Sequence, residues 1–131
     1  MTSTETSTGI GEVATVIVPV SDQDRAIAFY TGKLGFEKRA DVAMGAAMRW
    51  VEVAAPGAAT TIAIVPPREG EAIGVQTRVA FATDDIDATH ASLLAEGVDV
   101  DEAVARMGGP VPPMFSFRDQ DGNSALIVQR S

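Results

Sequence analysis

The sequence predicts an α+β domain built from two tandem modules, each a strand, a helix and three further strands. Three observations carry this. Thr15-Val16-Ile17-Val18-Pro19-Val20-Ser21-Asp22 and Arg78-Val79-Ala80-Phe81-Ala82-Thr83-Asp84-Asp85 both run from a short apolar strand into an acidic helix start, 63 residues apart (78 − 15). Thr61-Ile62-Ala63-Ile64-Val65 and Ser124-Ala125-Leu126-Ile127-Val128 are apolar closing strands with the same offset between Ala63 and Leu126 (126 − 63). Between the halves, Pro66-Pro67-Arg68-Glu69-Gly70-Glu71 cannot continue a sheet, because two prolines remove ladder donors and the rest is polar or glycine. A duplicated unit builds its site at the joint between its copies, so the repeat locates function before any reactive residue is named.

Each element follows from local chemistry. Val13 to Val20 reads as a strand buried on at least one face; Ser21 or Asp22 caps the helix after it, with Asp22 and Asp24 placing negative charge where the helix dipole favours it. Ala26, Ile27, Phe29, Tyr30 and Leu34 recur at helical spacing and Gly35 terminates them. Phe36 to Val42 is a second strand, Gly45 a tight turn, Met48 to Val53 a third strand, Pro56-Gly57 a turn, and Thr60 to Val65 the fourth. In the second half Gln76 to Thr83 is a strand and Asp85 to Ala95 a helix, with Ile86, Leu93 and Leu94 inward and Gly97 as its stop. Gly97-Val98-Asp99-Val100 parallels Gly35-Phe36-Glu37-Lys38 at an offset of 62 (97 − 35), so the second module has lost one residue in its helix or its exit. Met107 to Pro113 is a backbone-restricted loop leading into Met114-Phe115-Ser116-Phe117, and Asp119-Gln120-Asp121-Gly122-Asn123 is a polar hairpin turn before the last strand.

At 131 residues the chain is one domain by size, with 46% apolar and 21% charged residues, as in soluble globular proteins. The expected organisation is a disordered tail over 1–11 and a single domain over 12–131, with module 1 at 12–66, a linker at 67–75 and module 2 at 76–131. A net charge of −8 argues against nucleic acid and anionic membranes as partners. The absence of cysteine excludes disulfides, thiolate metal sites and a cysteine nucleophile. No apolar run approaches a membrane span and the polar start lacks signal-peptide features, so a cytoplasmic location is expected.

Val18-Pro19-Val20-Ser21-Asp22, Ala28-Phe29-Tyr30, Leu34-Gly35-Phe36, Val79-Ala80-Phe81, Asp85-Ile86-Asp87, Gly97-Val98 and above all Phe117-Arg118-Asp119-Gln120-Asp121-Gly122-Asn123 give the chain its likeness to known proteins. In order and spacing, from about Val13 to Gln129, it resembles the vicinal oxygen chelate superfamily of glyoxalases, bleomycin-resistance proteins and extradiol dioxygenases. The resemblance implies curved mixed sheets around a shared cleft and a homodimer. It also implies four metal-ligand positions, which fall on Thr15 and Arg78 in the opening strands and on Ala63 and Leu126 in the closing ones. None is a usual ligand: a divalent ion needs several convergent oxygen or imidazole donors, and a permanent cation repels it. His90, the only histidine, is expected as a solvated helix residue. No metal and no cofactor are therefore expected.

Aligning the turns at Gly57 and Gly122 pairs Trp50 with Phe115 and Glu52 with Phe117. If these residues point inward, the cleft is lined by Thr15, Trp50, Ala63, Met114, Phe115, Phe117 and Leu126, with Glu52 and Arg78 as its charged groups. Such a pocket suits a flat, largely apolar molecule with a polar handle. Mutual pairing of Glu52 with Arg78, and aromatics that are plain core, is the structural alternative. Three functional readings follow: a metal-independent protein that binds or sequesters an antibiotic or secondary metabolite; a metal-independent enzyme with Glu52 as base and Arg78 as oxyanion partner; or a metal-dependent glyoxalase-type lyase or dioxygenase with its ligands elsewhere.

Overall fold

The computed structural model describes residues 7–46 and 48–131. The first half contains β1 (Thr15–Pro19), α1 (Gln23–Ile27) with a π-helical continuation (Ala28–Lys33), β2 (Glu37–Ala43), β3 (Arg49–Ala54) and β4 (Thr61–Val65). The second contains β5 (Gln76–Thr83), α2 (Ile86–Ala95), β6 (Asp99–Val100), β7 (Met114–Arg118) and β8 (Ser124–Gln129). Each half is a four-stranded mixed sheet, ordered β1-β4-β3-β2 and β5-β8-β7-β6, in which the opening strand lies parallel to the closing one. The architecture is the α+β pair of βαβββ modules that the repeat predicts. Residues 7–14 carry no regular element, and the tail expected over 1–11 falls partly on residues 1–6, outside the described residues.

The helices begin and end as the sequence dictates. Asp22 Oδ1 accepts from Asp24 N and Arg25 N, and Asp85 Oδ1 from Ala88 N at 3.1 Å. Gly35 and Gly97 follow them at φ 74° and 78°, a conformation that lets a helix turn off without a Cβ clash. The residue missing between the two Gly signals is now located. The first helix carries one more residue between cap and stop than the second, and it accommodates the extra residue by widening into the π-turn at Ala28–Lys33.

Alternation along the strands divides each sheet into two faces. On the helix side of sheet one, Val18, Val51, Val53, Ile62 and Ile64 pack with Ala26 and Tyr30. On the helix side of sheet two, Phe115, Phe117, Ala125 and Ile127 pack with Ile86 and Leu93. The two cores are continuous through Phe29, Leu34 and Phe81, which pack against both. Two expectations fail on the second helix. Leu94 is 53% exposed, because Ile86 and Leu93 share one stripe and Leu94 is a step of about 100° round the helix from it. His90 is half-buried rather than solvated: its Nε2 lies 2.7 Å from the Asp101 carbonyl oxygen and its ring meets Phe115 edge-on at 4.8 Å.

A buried polar latch ties the modules together. Asp119 receives the Tyr30 hydroxyl at 2.9 Å and the Asn123 side-chain amide at 3.0 Å on one oxygen, and the backbone N–H groups of Asp121 and Asn123 on the other. Asn123, 2% exposed, also donates to the Pro19 carbonyl and accepts from the N–H groups of Gly74 and Val75. Asp121 completes the junction by accepting from the backbone and hydroxyl of Ser21. Burial first, then the negative charge and hydrogen bond of Asp119, push the Tyr30 phenol far above its ordinary value. The hairpin turn read from the sequence is therefore also the joint between β1, the first helix, the linker and β8.

Candidate functional site

The faces turned away from the helices hold the candidate residues. On sheet one the registers Thr15↔Thr61, Ile17↔Ala63, Glu52↔Ala63 and Val42↔Trp50 put Thr15, Ile17, Val42, Trp50, Glu52 and Ala63 on one side. On sheet two Ala80↔Leu126, Ser116↔Leu126, Met114↔Val128 and Arg118↔Ser124 do the same for Ala80, Met114, Ser116, Ser124 and Leu126. Thr15, Trp50, Glu52 and Ala63 thus come together on one module, and Met114 and Leu126 on the other.

Phe115 and Phe117 do not join them. Both are 1% exposed and buried on the helix side of sheet two, so their expected place in the cleft is corrected to the core. The cause is one residue of turn length. Glu52 is opposite Ala63 across the β3–β4 turn, whereas Ser116 is opposite Leu126 across the shorter β7–β8 turn. The counterparts of Trp50 and Glu52 are therefore Met114 and Ser116, and the one-residue slip made by aligning Gly57 with Gly122 turns every side chain of β7 to the wrong face.

Glu52 does not pair with Arg78. Its Oε2 accepts the Trp50 indole N–H at 2.7 Å, and that bond holds the carboxyl below its ordinary value. A carboxylate so stabilised is a weaker base than a free one, which counts against proton abstraction by Glu52. The Thr15 hydroxyl is engaged by Thr61, through its carbonyl at 3.1 Å and its Oγ1 at 2.8 Å. At the four superfamily ligand positions the side chains are thus an occupied hydroxyl, a methyl, a guanidinium and an isobutyl group, a set that does not fit a divalent cation. Among the described residues no group of three or more His, Cys, Asp or Glu is arranged to hold one.

Two hollows compete for a ligand. A crevice of about 540 Å³ runs between the modules on their helix sides, walled by Leu34, Phe36, Ile62, Phe81, Leu93 and Phe117 among others. A smaller one of about 190 Å³ lies on the open face of sheet two, lined by Gln76, Arg78, Ser116, Ser124, Ala125 and Leu126. The larger is a seam in the core. Its polar groups are already satisfied: the Thr83 and Thr89 hydroxyls bond each other at 2.7 Å, and Arg130 is paired with Asp84 at 2.9 Å. The smaller adjoins the apolar open face and presents an arginine with no acid partner among the described residues, so it is the better recognition site despite its size. Gln76, Ser116, Ser124 and Ile17 were not singled out from the sequence. The 63-residue offset, applied to Ile17 and Ala80 as well as to Ala63 and Leu126, is the signal that finds the central strands of both open faces.

Comparison with known proteins agrees with this geometry. The family model described as Glyoxalase/Bleomycin resistance protein/Dioxygenase superfamily matches residues 9–126. The uncharacterised protein YetH of Bacillus subtilis (strain 168) is 33% identical over 125 residues, covering 92% of this chain and 99% of that protein. The crystal structure of TnmS3, an antibiotic binding protein from Streptomyces sp. CB03234, superposes with a TM-score of 0.80 at 36% identity, over 93% of this chain and 98% of that one. A superfamily member from Sphaerobacter thermophilus DSM 20745 superposes with a TM-score of 0.86 at 34% identity, over 93% and 99%. No helix among the described residues is long and apolar enough to cross a membrane. The chain belongs to the glyoxalase/bleomycin resistance protein/dioxygenase superfamily.

Proposed function

We propose that this protein binds a small, largely apolar molecule, of the antibiotic or secondary-metabolite kind, on the open faces of its sheets and without a metal ion. The observation that carries the reading is the replacement of the superfamily's ligand positions by Thr15, Ala63, Arg78 and Leu126, flanked by Trp50 and Met114. Such a surface recognises shape and apolar area rather than holding an electrophile. The likeness to TnmS3, an antibiotic binding protein, supports it. A second copy of the chain completes the pocket: Ile17, 57% exposed, and Val42 present apolar area on the same side as Trp50, where the facing sheet of a homodimer would cover it.

Thermal unfolding against a panel of planar natural products tests this. A ligand at a hundred times its Kd adds about 2.7 kcal/mol to stability, so a hit raises Tm clearly. The shift is expected to survive prior treatment with chelator and to be lost in Leu126→Arg, whose half-exposed site tolerates the change in the free protein. A shift that appears only with an added divalent ion contradicts the reading.

A further inference from the structure

We infer that Arg78 is an anion handle, and that the molecule bound on the open face carries a carboxylate on a flat apolar body. The inference rests on the open face being a ligand site and adds the chemical class of what it takes. Four observations lead to it.

The first is backbone conformation. Arg78 has φ 64°, the left-handed region that L side chains avoid, and it is the only non-glycine residue there among those described; the ten other positive-φ positions are all glycine. The second is register. β5 uses four steps, Gln76 to Ala80, where β8 uses two, Ser124 to Leu126, so Thr77, Arg78 and Val79 bulge out of the ladder. The bulge is pinned: the Thr77 hydroxyl donates to the Ser124 carbonyl at 2.7 Å and accepts from Val79 N at 3.2 Å. In the first module the corresponding ladder runs unbroken from Thr15 to Pro19.

The third is charge. In a chain with 18 acidic and 10 basic residues, Arg39, Arg49, Arg68, Arg106, Arg118 and Arg130 all form ion pairs. Arg25 and Arg78 are exposed and form none among the described residues, although acids outnumber bases; the charge of Arg25 still acts on the Asp121 carboxylate, whereas the hollow that Arg78 lines holds no acid. The fourth is its company. The hollow it lines contains the side chains of Gln76, Ser116 and Ser124 and no acid, and the three side chains make no hydrogen bond within the described residues. Side chains with unengaged N–H and O–H donors surround a guanidinium whose fork matches a carboxylate. At about 190 Å³ the hollow holds the anionic head and little more, which leaves the apolar body to lie across Leu126 towards Met114. A strained arginine where glycine would sit without cost is retained because a bulge aims its charge; strain of this kind concentrates at ligand clamps.

Calorimetric titration of the intact protein at neutral pH with 2-naphthoate and with neutral 2-naphthamide separates charge from shape. The wild type is expected to bind the carboxylate roughly tenfold more tightly than the amide, as one charge-assisted contact implies. Arg78→Gln should bind both alike, and Arg78→Lys should keep part of the preference. Arg78→Gly should lose the preference while melting a few degrees higher than Arg78→Ala, because glycine removes the backbone strain that alanine retains. Equal binding of the two probes by the wild type, or a preference that persists in Arg78→Gln, overturns the anion handle while leaving the pocket itself standing. Binding of neither probe overturns the pocket, and the handle with it.

Discussion

Asp119→Ala is expected to lower unfolding stability by about 4 kcal/mol, a large share of what a domain of this size possesses. Four donors meet at that carboxylate: the Tyr30 hydroxyl, the Asn123 side-chain amide, and the N–H groups of Asp121 and Asn123. Asp119 and Asn123 are both buried, so donors orphaned by the substitution do not all recover water, and unpaired buried groups cost about 1–3 kcal/mol each before relaxation. Tyr30→Phe, which removes one donor and leaves Asp119 with three, should cost about 1 kcal/mol. In Asp119→Ala the tyrosine substitution should cost less still, since its partner is gone. Urea unfolding of the two single variants and the double variant measures that coupling, and additive costs would show that the bond between modules contributes nothing.

Phe117→Ala is expected to cost about 3–5 kcal/mol. The ring is 1% exposed and sits at the seam of both cores, 6.4 Å from Phe29 in stacked geometry and 6.2 Å from Phe81. Removing it leaves a cavity walled by aromatic side chains that cannot all close in. Leu126→Ala, one strand away on the opposite face, should cost no more than about 1 kcal/mol, because its side chain is half-exposed and has less to lose. Denaturant midpoints distinguish the two directly. A small effect at Phe117 together with a large one at Leu126 would mean that the faces of sheet two are assigned the wrong way round.

Most of the architecture was legible because its signals are local. Asp22 and Asp85 cap helices, Gly35 and Gly97 stop them, and the offset from Thr15 to Arg78 recurs from Ala63 to Leu126. The unsuitability of those four residues as metal ligands needed only their identity. What escaped depends on counts and distances that a repeat does not display. The β7–β8 turn is one residue shorter than β3–β4, which moved Phe115 and Phe117 from an expected cleft into the core. Asp119 to Asn123 reads locally as a turn, yet its partners Ser21, Tyr30 and Pro19 lie far away along the chain. Strand periodicity places Arg78 on β5 but cannot show that the strand bulges there, since nothing in Thr77-Arg78-Val79 announces a left-handed residue.

The ligand-bearing surface can be read directly from side-chain methyl NMR spectra recorded during titration with a compound that raises Tm. Resonances of Ile17, Met114 and Leu126, on the open faces, are expected to shift saturably with chelator present, while Ile62, Leu93 and Ile127, which wall the crevice between the modules, stay in place. Shifts confined to the crevice set, or an open-face response that requires a divalent ion, would contradict the assignment of a metal-free pocket to the open sheets.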